Sequence, residues 1–176
     1  MSEQPPASST QFGECFVGDG VDAAHINTVL GAAGGPVETA WVTALATPRQ
    51  GHAAFVATVV PGVAVRPHTL FVNKATIESE RHGHLTWGAA QAGVAAGVMD
   101  AVDLDVITTE AASRLLLIAA VWVNPAAANE QVVFANNREA TLGALVAGRD
   151  GAPSVADAVA AARHPFNAYF TGPSGG

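Results

Sequence analysis

Residues 87–102, WGAAQAGVAAGVMDAV, constrain the fold more than any other stretch. The run reads as a helix made almost wholly of Ala, Gly, Val and Met. Each glycine costs an isolated helix about 1 kcal/mol relative to alanine. Gly88, Gly93 and Gly97 therefore weaken this helix unless a neighbouring backbone comes too close for larger side chains. A helix of this kind is stable only against a partner element, and the rest of the chain has to supply one.

The flanking segments supply both strands and helices. Residues 12–18 place Phe12, Cys15, Phe16 and Val17 around Glu14 and read as a short strand, followed by the turn signal Gly18-Asp19-Gly20. Residues 24–30 alternate around Ile26 and Val29 as a second strand, which residues 31–36 break. Pro36 then opens a helix at a favoured first position and Thr47-Pro48 closes it, giving a helix over 36–46. Residues 53–60 are apolar and β-branched up to Pro61-Gly62, and 69–77 form another apolar run around the polar pair Asn73-Lys74; both read as strands. Residues 115–123 read as a fully buried strand. Residues 126–146 read as a helix interrupted or kinked near Asn136-Asn137, and 155–163 as a last short helix before His164-Pro165-Phe166. Strands and helices mix without strict alternation, which indicates an α/β fold, an α+β sandwich of a sheet with helices. At 176 residues the chain fits a single domain.

Composition narrows the function classes. Charged residues make up 13% of the chain, against about 25% in average soluble domains. So little charge points to surface buried in a homo-oligomer, although an alanine-rich composition alone would also lower the charge count. The net charge of −7 excludes a broad nucleic-acid-binding face, leaving local basic pockets around Lys74, Arg66 and Arg81. The single cysteine, Cys15, permits no intrachain disulfide and reads as a small buried hydrophobe. Residues 1–11 are polar, read as a flexible tail and lack the apolar core of a signal peptide. Residues 115–123 are too short to span a bilayer. The expectation is a soluble, cytoplasmic protein with no membrane partner.

Several residues stand out chemically. His25, after the glycine turn, is either an imidazole beside a ligand or a half-buried histidine on a hairpin strand. Lysine is rarely buried without a partner. On a strand, Lys74 and Thr76 would share one face, lining a cleft or lying on a solvated edge. Gln91, inside the small-residue helix, is either a ligand contact or a core amide bonded to backbone. His82 and His84 are two apart with no evident third ligand, so Arg81–His84 reads as a solvated loop and no metal site is expected.

Several motifs occur in order along the chain. Phe12-Gly-Glu-Cys-Phe-Val-Gly-Asp-Gly-Val-Asp-Ala-Ala-His25-Ile resembles the GEALVGDGxxxAHID opening of the formaldehyde-activating enzyme family. Gly35-Pro-Val-Glu-Thr-Ala40 is similar to its SPAETAF, and Arg66-Pro-His-Thr-Leu-Phe-Val-Asn-Lys-Ala-Thr-Ile77 to its KPxTLxxNKxTI. Gly88-Ala-Ala-Gln-Ala-Gly-Val-Ala95 is similar to GPAQxGVA, Asn137-Arg-Glu-Ala-Thr141 to NYEAT, and His164-Pro-Phe to a C-terminal HPF. The chain departs from the pattern at Asn27, where the family has aspartate, at Gln50-Gly-His52, where it has KHGF, and at Asn124-Pro, where it has His-Pro or His-Trp.

The resemblance implies a ribosomal protein S5 domain 2-like fold over residues 12–170, with a C-terminal tail at 171–176. It implies a homopentamer with pterin sites between subunits. The implied reaction condenses formaldehyde with tetrahydromethanopterin, a co-substrate, without a metal. Hydroxide is a poor leaving group from the carbinolamine, so a general acid is needed. An imidazole, with an ordinary pKa of about 6.5, is suited to that work. The resemblance gives this role to His25 and pterin contacts to Asn27, Val56, Lys74, Thr76 and Gln91. Two rival readings keep the same scaffold: an enzyme using another amine, such as a folate or a specialised metabolite, or another aldehyde, and a non-catalytic protein that binds pterin or formaldehyde.

Overall fold

The computed structural model describes residues 10–167. Residues 1–9 of the expected N-terminal tail, and the expected C-terminal tail at 171–176, lie outside them. Strand β1 (Gln11–Val17) runs antiparallel to β2 (Ala24–Ala32), with a 3-10 turn at Gly20–Asp22 between them. Helix α1 occupies Pro36–Ala46, with proline in its first turn as expected. The single strand expected at 53–60 is two: β3 (Ala54–Val56) and β4 (Thr58–Val60), separated at Ala57. Strand β3 joins the main sheet, whereas β4 folds back on β5 (Val63–Ala64) as a small hairpin around Pro61-Gly62. Strand β6 is His68–Asn73.

Helix α2 (Glu80–His84) turns a stretch expected to be a loop into helix, capped by the Ser79 hydroxyl on the His82 amide. A π-helical turn at Leu85–Ala90 leads into α3 (Gln91–Asp103). Helix α4 (Thr109–Ala112) precedes β7 (Leu115–Trp122). Helix α5 (Glu130–Asp150) is continuous through Asn136 and Asn137. The interruption expected there is absent, and the Asn137 amide bonds within the helix, donating to the Val133 carbonyl. Helix α6 is Val155–Ala161. The result is a mixed α/β single domain, and among the described residues no helix is long and apolar enough to cross a membrane.

The main sheet has the order β1-β2-β7-β6-β3, antiparallel except between β6 and β7. Alternation along each strand gives two unequal faces. Ala24, Ile26, Thr28, Leu117, Ala119, Val121, Thr69 and Phe71 share one face by register and are fully buried. Helices α5 and α3 cover it side by side, α5 over β1 and β2. The approach is as close as the small-residue helix requires. A Cβ added at Gly93 would lie 2.5 Å from the Phe134 carbonyl oxygen, and one at Gly97 would lie 2.5 Å from that of Arg138. The Arg138 guanidinium also clasps the Asp100 carboxylate across the two helices, at 2.6 and 2.8 Å, and holds that carboxyl below its usual range.

The other face is only partly covered. Helix α1 packs against β2 and β7, with Val37 seated on Gly31. The opposite half of this face carries Glu14, Phe16, His25, Asn27, Ala120 and Trp122 by register, and among the described residues no helix packs closely over it. Strand β7 therefore alternates between buried and half-buried positions, rather than being buried on both faces.

Candidate active site

His25 is the second residue of β2, directly across from Phe16 on β1 and Trp122 on β7. Its ring lies 6.0 Å, centroid to centroid, from that of Phe16 at a tilt of 51°. Its Nε2 is 2.9 Å from Glu14 Oε1. Glu14 faces Asn27 directly across the strand pair and reaches His25 on the diagonal, a span within the range of a long side chain. Lys74 is the first residue beyond β6. Its amide donates to the Val121 carbonyl at 2.8 Å, and its ammonium donates to Asn27 Oδ1. Two strands and the end of a third thus gather one imidazole, one carboxylate, one ammonium and one carboxamide on the open half of the sheet.

The rim is the Gly18-Asp19-Gly20 loop, held in place from below. Gly18 adopts φ +82°, and an added Cβ there would meet Asn136 Nδ2 at 2.5 Å, so both backbone and space call for glycine. Asn136 donates to the Asp22 carbonyl, and the Asp22 carboxylate accepts the amides of Ala128 and Asn129 at 2.7 and 3.0 Å. The loop is thereby fixed to the segment that starts α5. The resulting cleft has a volume of about 900 Å³ and is lined by Glu14, His25, Lys74, Trp122, Asn124 and Phe166, among others. That volume lies in the range of small-molecule sites.

The remaining sequence candidates lie elsewhere in the chain. Val56 is on β3, three strand positions from β2, a lateral separation of about 14 Å at ordinary strand spacing. Thr76 does not share a strand face with Lys74, because β6 stops at Asn73. The buried Asn73 amide donates to the carbonyls of Gly51 and Ala75 and ties the following loop down. Thr76 pairs with His52, whose Nδ1 lies 3.0 Å from the Asn73 carbonyl and Nε2 3.0 Å from Thr76 Oγ1. The carbonyl only accepts, so Nδ1 is the donor and Nε2 accepts from the threonine hydroxyl. Gln91 donates to the Thr58 carbonyl at 2.9 Å. Within one chain, then, His25, Asn27 and Lys74 come together, Val56 and Gln91 lie apart from them, and the Thr76 hydroxyl is engaged by His52.

Two other sequence features resolve as structural. His82 is buried on α2, with Nδ1 toward the Glu78 amide and Nε2 toward the Val123 carbonyl, so both nitrogens are occupied by backbone. Cys15 faces α5, where its Sγ would lie 2.7 Å from a Cβ added at Gly143. Burial pushes its thiol pKa up, and Glu14 and Glu139 add to the effect. Among the described residues, no group of three metal-ligating side chains comes together. Sequence reasoning passed over Glu14, Phe16 and Trp122. The signal was a lone carboxylate in an apolar strand, and strand register was needed to place it beside His25.

Residues 12–170 match the family model described as formaldehyde-activating enzyme. The chain is 40% identical over 160 residues to a 5,6,7,8-tetrahydromethanopterin hydro-lyase of Methanosarcina barkeri, an alignment covering 89% of this chain and 90% of that protein. It is 32% identical over 145 residues to a bifunctional enzyme Fae/Hps of Methanosphaera stadtmanae, and 31% identical to one of Archaeoglobus fulgidus. Those alignments cover 82% of this chain but only 36% and 37% of the relatives, so the chain spans just over a third of the bifunctional proteins.

Proposed function

The chain belongs to the formaldehyde-activating enzyme family, and on that premise we propose that it condenses formaldehyde with tetrahydromethanopterin, with His25 as the general acid. The observation that carries the assignment is an imidazole in a small-molecule-sized cleft, braced by a carboxylate on one ring nitrogen.

One pterin amine attacks the formaldehyde carbon and gives a carbinolamine. His25 protonates its hydroxyl, the C–O bond breaks, and water leaves with the bonding pair. The nitrogen lone pair forms the iminium that remains. The second amine closes on that carbon and gives up its proton, leaving methylene-tetrahydromethanopterin. Proton donation of this kind contributes roughly 10²- to 10⁴-fold. Holding both amines and the aldehyde in reach supplies the remainder.

Asn27 and Lys74, one hydrogen-bonded to the other, are the pterin contacts on the His25 side. Val56, Thr76 and Gln91 complete the pterin site from a neighbouring subunit of a cytoplasmic homopentamer with the ribosomal protein S5 domain 2-like fold. Two features support a shared site. Val56, on the far edge strand, and Gln91, tied to the β4–β5 hairpin, are separated from the acid within one chain. Phe12, Phe16, Val59, Val60 and Val63 are exposed, Phe12 at 69%, and apolar exposure of this kind suits an interface.

A second reading, in which another amine is the substrate, draws on Asn27. A carboxylate at this position would accept two hydrogen bonds, whereas the amide offers one acceptor and one donor group. The deciding assay measures methylene-tetrahydromethanopterin formation with and without the protein, beside the same assay with tetrahydrofolate. Acceleration with tetrahydromethanopterin is expected. Acceleration only with tetrahydrofolate would establish the second reading, and none with either would remove the enzymatic assignment.

A further inference from the structure

We propose that Glu14 is the positioning residue of the acid: it holds His25 by Nε2, so that Nδ1 is the nitrogen that gives up and recovers the proton. This rests on the function proposed above and concerns how the same site works.

The geometry starts from the hairpin. Glu14 Oε1 lies 2.9 Å from His25 Nε2 although the two residues are not direct cross-strand partners. The residue directly opposite Glu14 is Asn27, and its Oδ1 is already taken by the Lys74 ammonium. Asn27 is neutral, so no second carboxylate stands across the pair to repel Glu14, and the diagonal reach to the imidazole is left open. Lys74 and Asp19 are the other charged groups lining the cleft. The Phe16 ring flanks the imidazole. The two side chains are 59% and 34% exposed, and ion pairs so exposed add little to folding stability. The contact is therefore poorly explained as a device for holding the sheet together. It accounts better for the orientation of the ring.

An ionised carboxylate only accepts hydrogen bonds. It therefore keeps a proton on Nε2 in both states of the ring and leaves Nδ1, which has no hydrogen-bond partner among the described residues, to exchange with substrate. The cycle then balances. The Nδ1 proton passes to the carbinolamine hydroxyl, the C–O bond breaks and water departs. The ring is left neutral with Nε2–H still on Glu14 and a lone pair on Nδ1. When the second amine closes on the iminium carbon, its proton returns to Nδ1. No net proton is taken from solvent, and Glu14 never has to be protonated.

The experiment compares the full-length protein with its Glu14→Ala, Glu14→Gln and His25→Ala variants. Glu14→Ala is expected to lower kcat about 10- to 100-fold, the range seen when partners that orient ligating histidines are removed. KM for the pterin should change less than about two-fold, since the orienting residue does not bind it. Added formate should restore part of the lost kcat in a saturable way in Glu14→Ala but not in His25→Ala, and Glu14→Gln should fall between the wild type and Glu14→Ala. In the wild type a downfield imidazole N–H proton resonance, assigned by its loss in His25→Ala, should be present and should vanish in Glu14→Ala. Wild-type kcat in Glu14→Ala, or a loss that formate leaves untouched, would overturn the proposal. If the wild-type protein accelerates no condensation, the function fails, while the resonance still reports whether Glu14 holds Nε2.

Discussion

At the scale of single residues, His25 shows how far spacing carries an argument. A histidine after a glycine turn is an ordinary hairpin residue until register sets a carboxylate on its Nε2 and two aromatic residues on the flanking strands. The histidine was legible in the sequence. Its partner was not, because a diagonal contact depends on which residues pair across two strands. His25→Ala is expected to lower the enzymatic rate by roughly 10²- to 10⁴-fold, the usual worth of a positioned acid. Circular dichroism should be unchanged, since the side chain is half-exposed and, among the described residues, bonds only to an exposed carboxylate. Full activity in that variant would take His25 out of the mechanism. Asn27 raises a separate question, because its carboxamide faces the Lys74 ammonium. Asn27→Asp would turn that hydrogen bond into an ion pair and restore an acceptor for an amino-pyrimidine edge. It is expected to tighten tetrahydromethanopterin binding by up to about ten-fold, the equivalent of one recovered hydrogen bond. Titration calorimetry showing equal or weaker binding would mean that the amide is the better partner for this pterin.

At the scale of elements, composition was most informative where it looked most unfavourable. A helix rich in glycine is intrinsically poor, and α3 is stable because α5 lies against it closely enough to use the missing side chains. Less legible were the elements whose ends depend on tertiary hydrogen bonds. Asn73 ends β6 by donating to the carbonyls of Ala75, just beyond it, and Gly51, in the segment before β3, and no local pattern distinguishes that from a strand running to Ile77. The break at Ala57 was hidden for the same reason: β-branched residues continue through it while the partner strand changes from β6 to β5. The α3–α5 contact gives a prediction with opposing terms. Gly97→Ala should gain about 1 kcal/mol in helix propensity. The new methyl would lie 2.5 Å from the Arg138 carbonyl oxygen and 2.8 Å from Thr141 Cβ, and forced overpacking costs about 1–3 kcal/mol. Backbone yields less readily than a side-chain tip, so the loss wins and Tm should fall by several degrees. A higher Tm in a thermal melt would show that the helices separate at little cost.

At the scale of the whole molecule, the distribution of the candidate residues matters more than any one of them. His25, Asn27 and Lys74 sit on the uncovered half of the sheet. Val56 lies on the opposite edge strand, and Gln91 is anchored to the β4–β5 hairpin through Thr58. If one pterin touches both sets, the second set has to arrive from another copy of the chain, and each site then takes residues from two subunits. Two variants with defects in different sets should then repair one another. His25→Ala and Gln91→Ala, each strongly impaired as a pure assembly, would place intact halves together at some interfaces when co-expressed. In a ring with two randomly mixed subunit types, about one interface in four pairs a wild-type acid with a wild-type Gln91, given one site per interface. Activity of the mixed assembly should therefore approach a quarter of the wild-type value per subunit, well above either parent. An assembly that stays as inactive as its parents would place all the pterin contacts within one chain, and the separation of Val56 and Gln91 from His25 would then mean that those two residues do not touch the substrate.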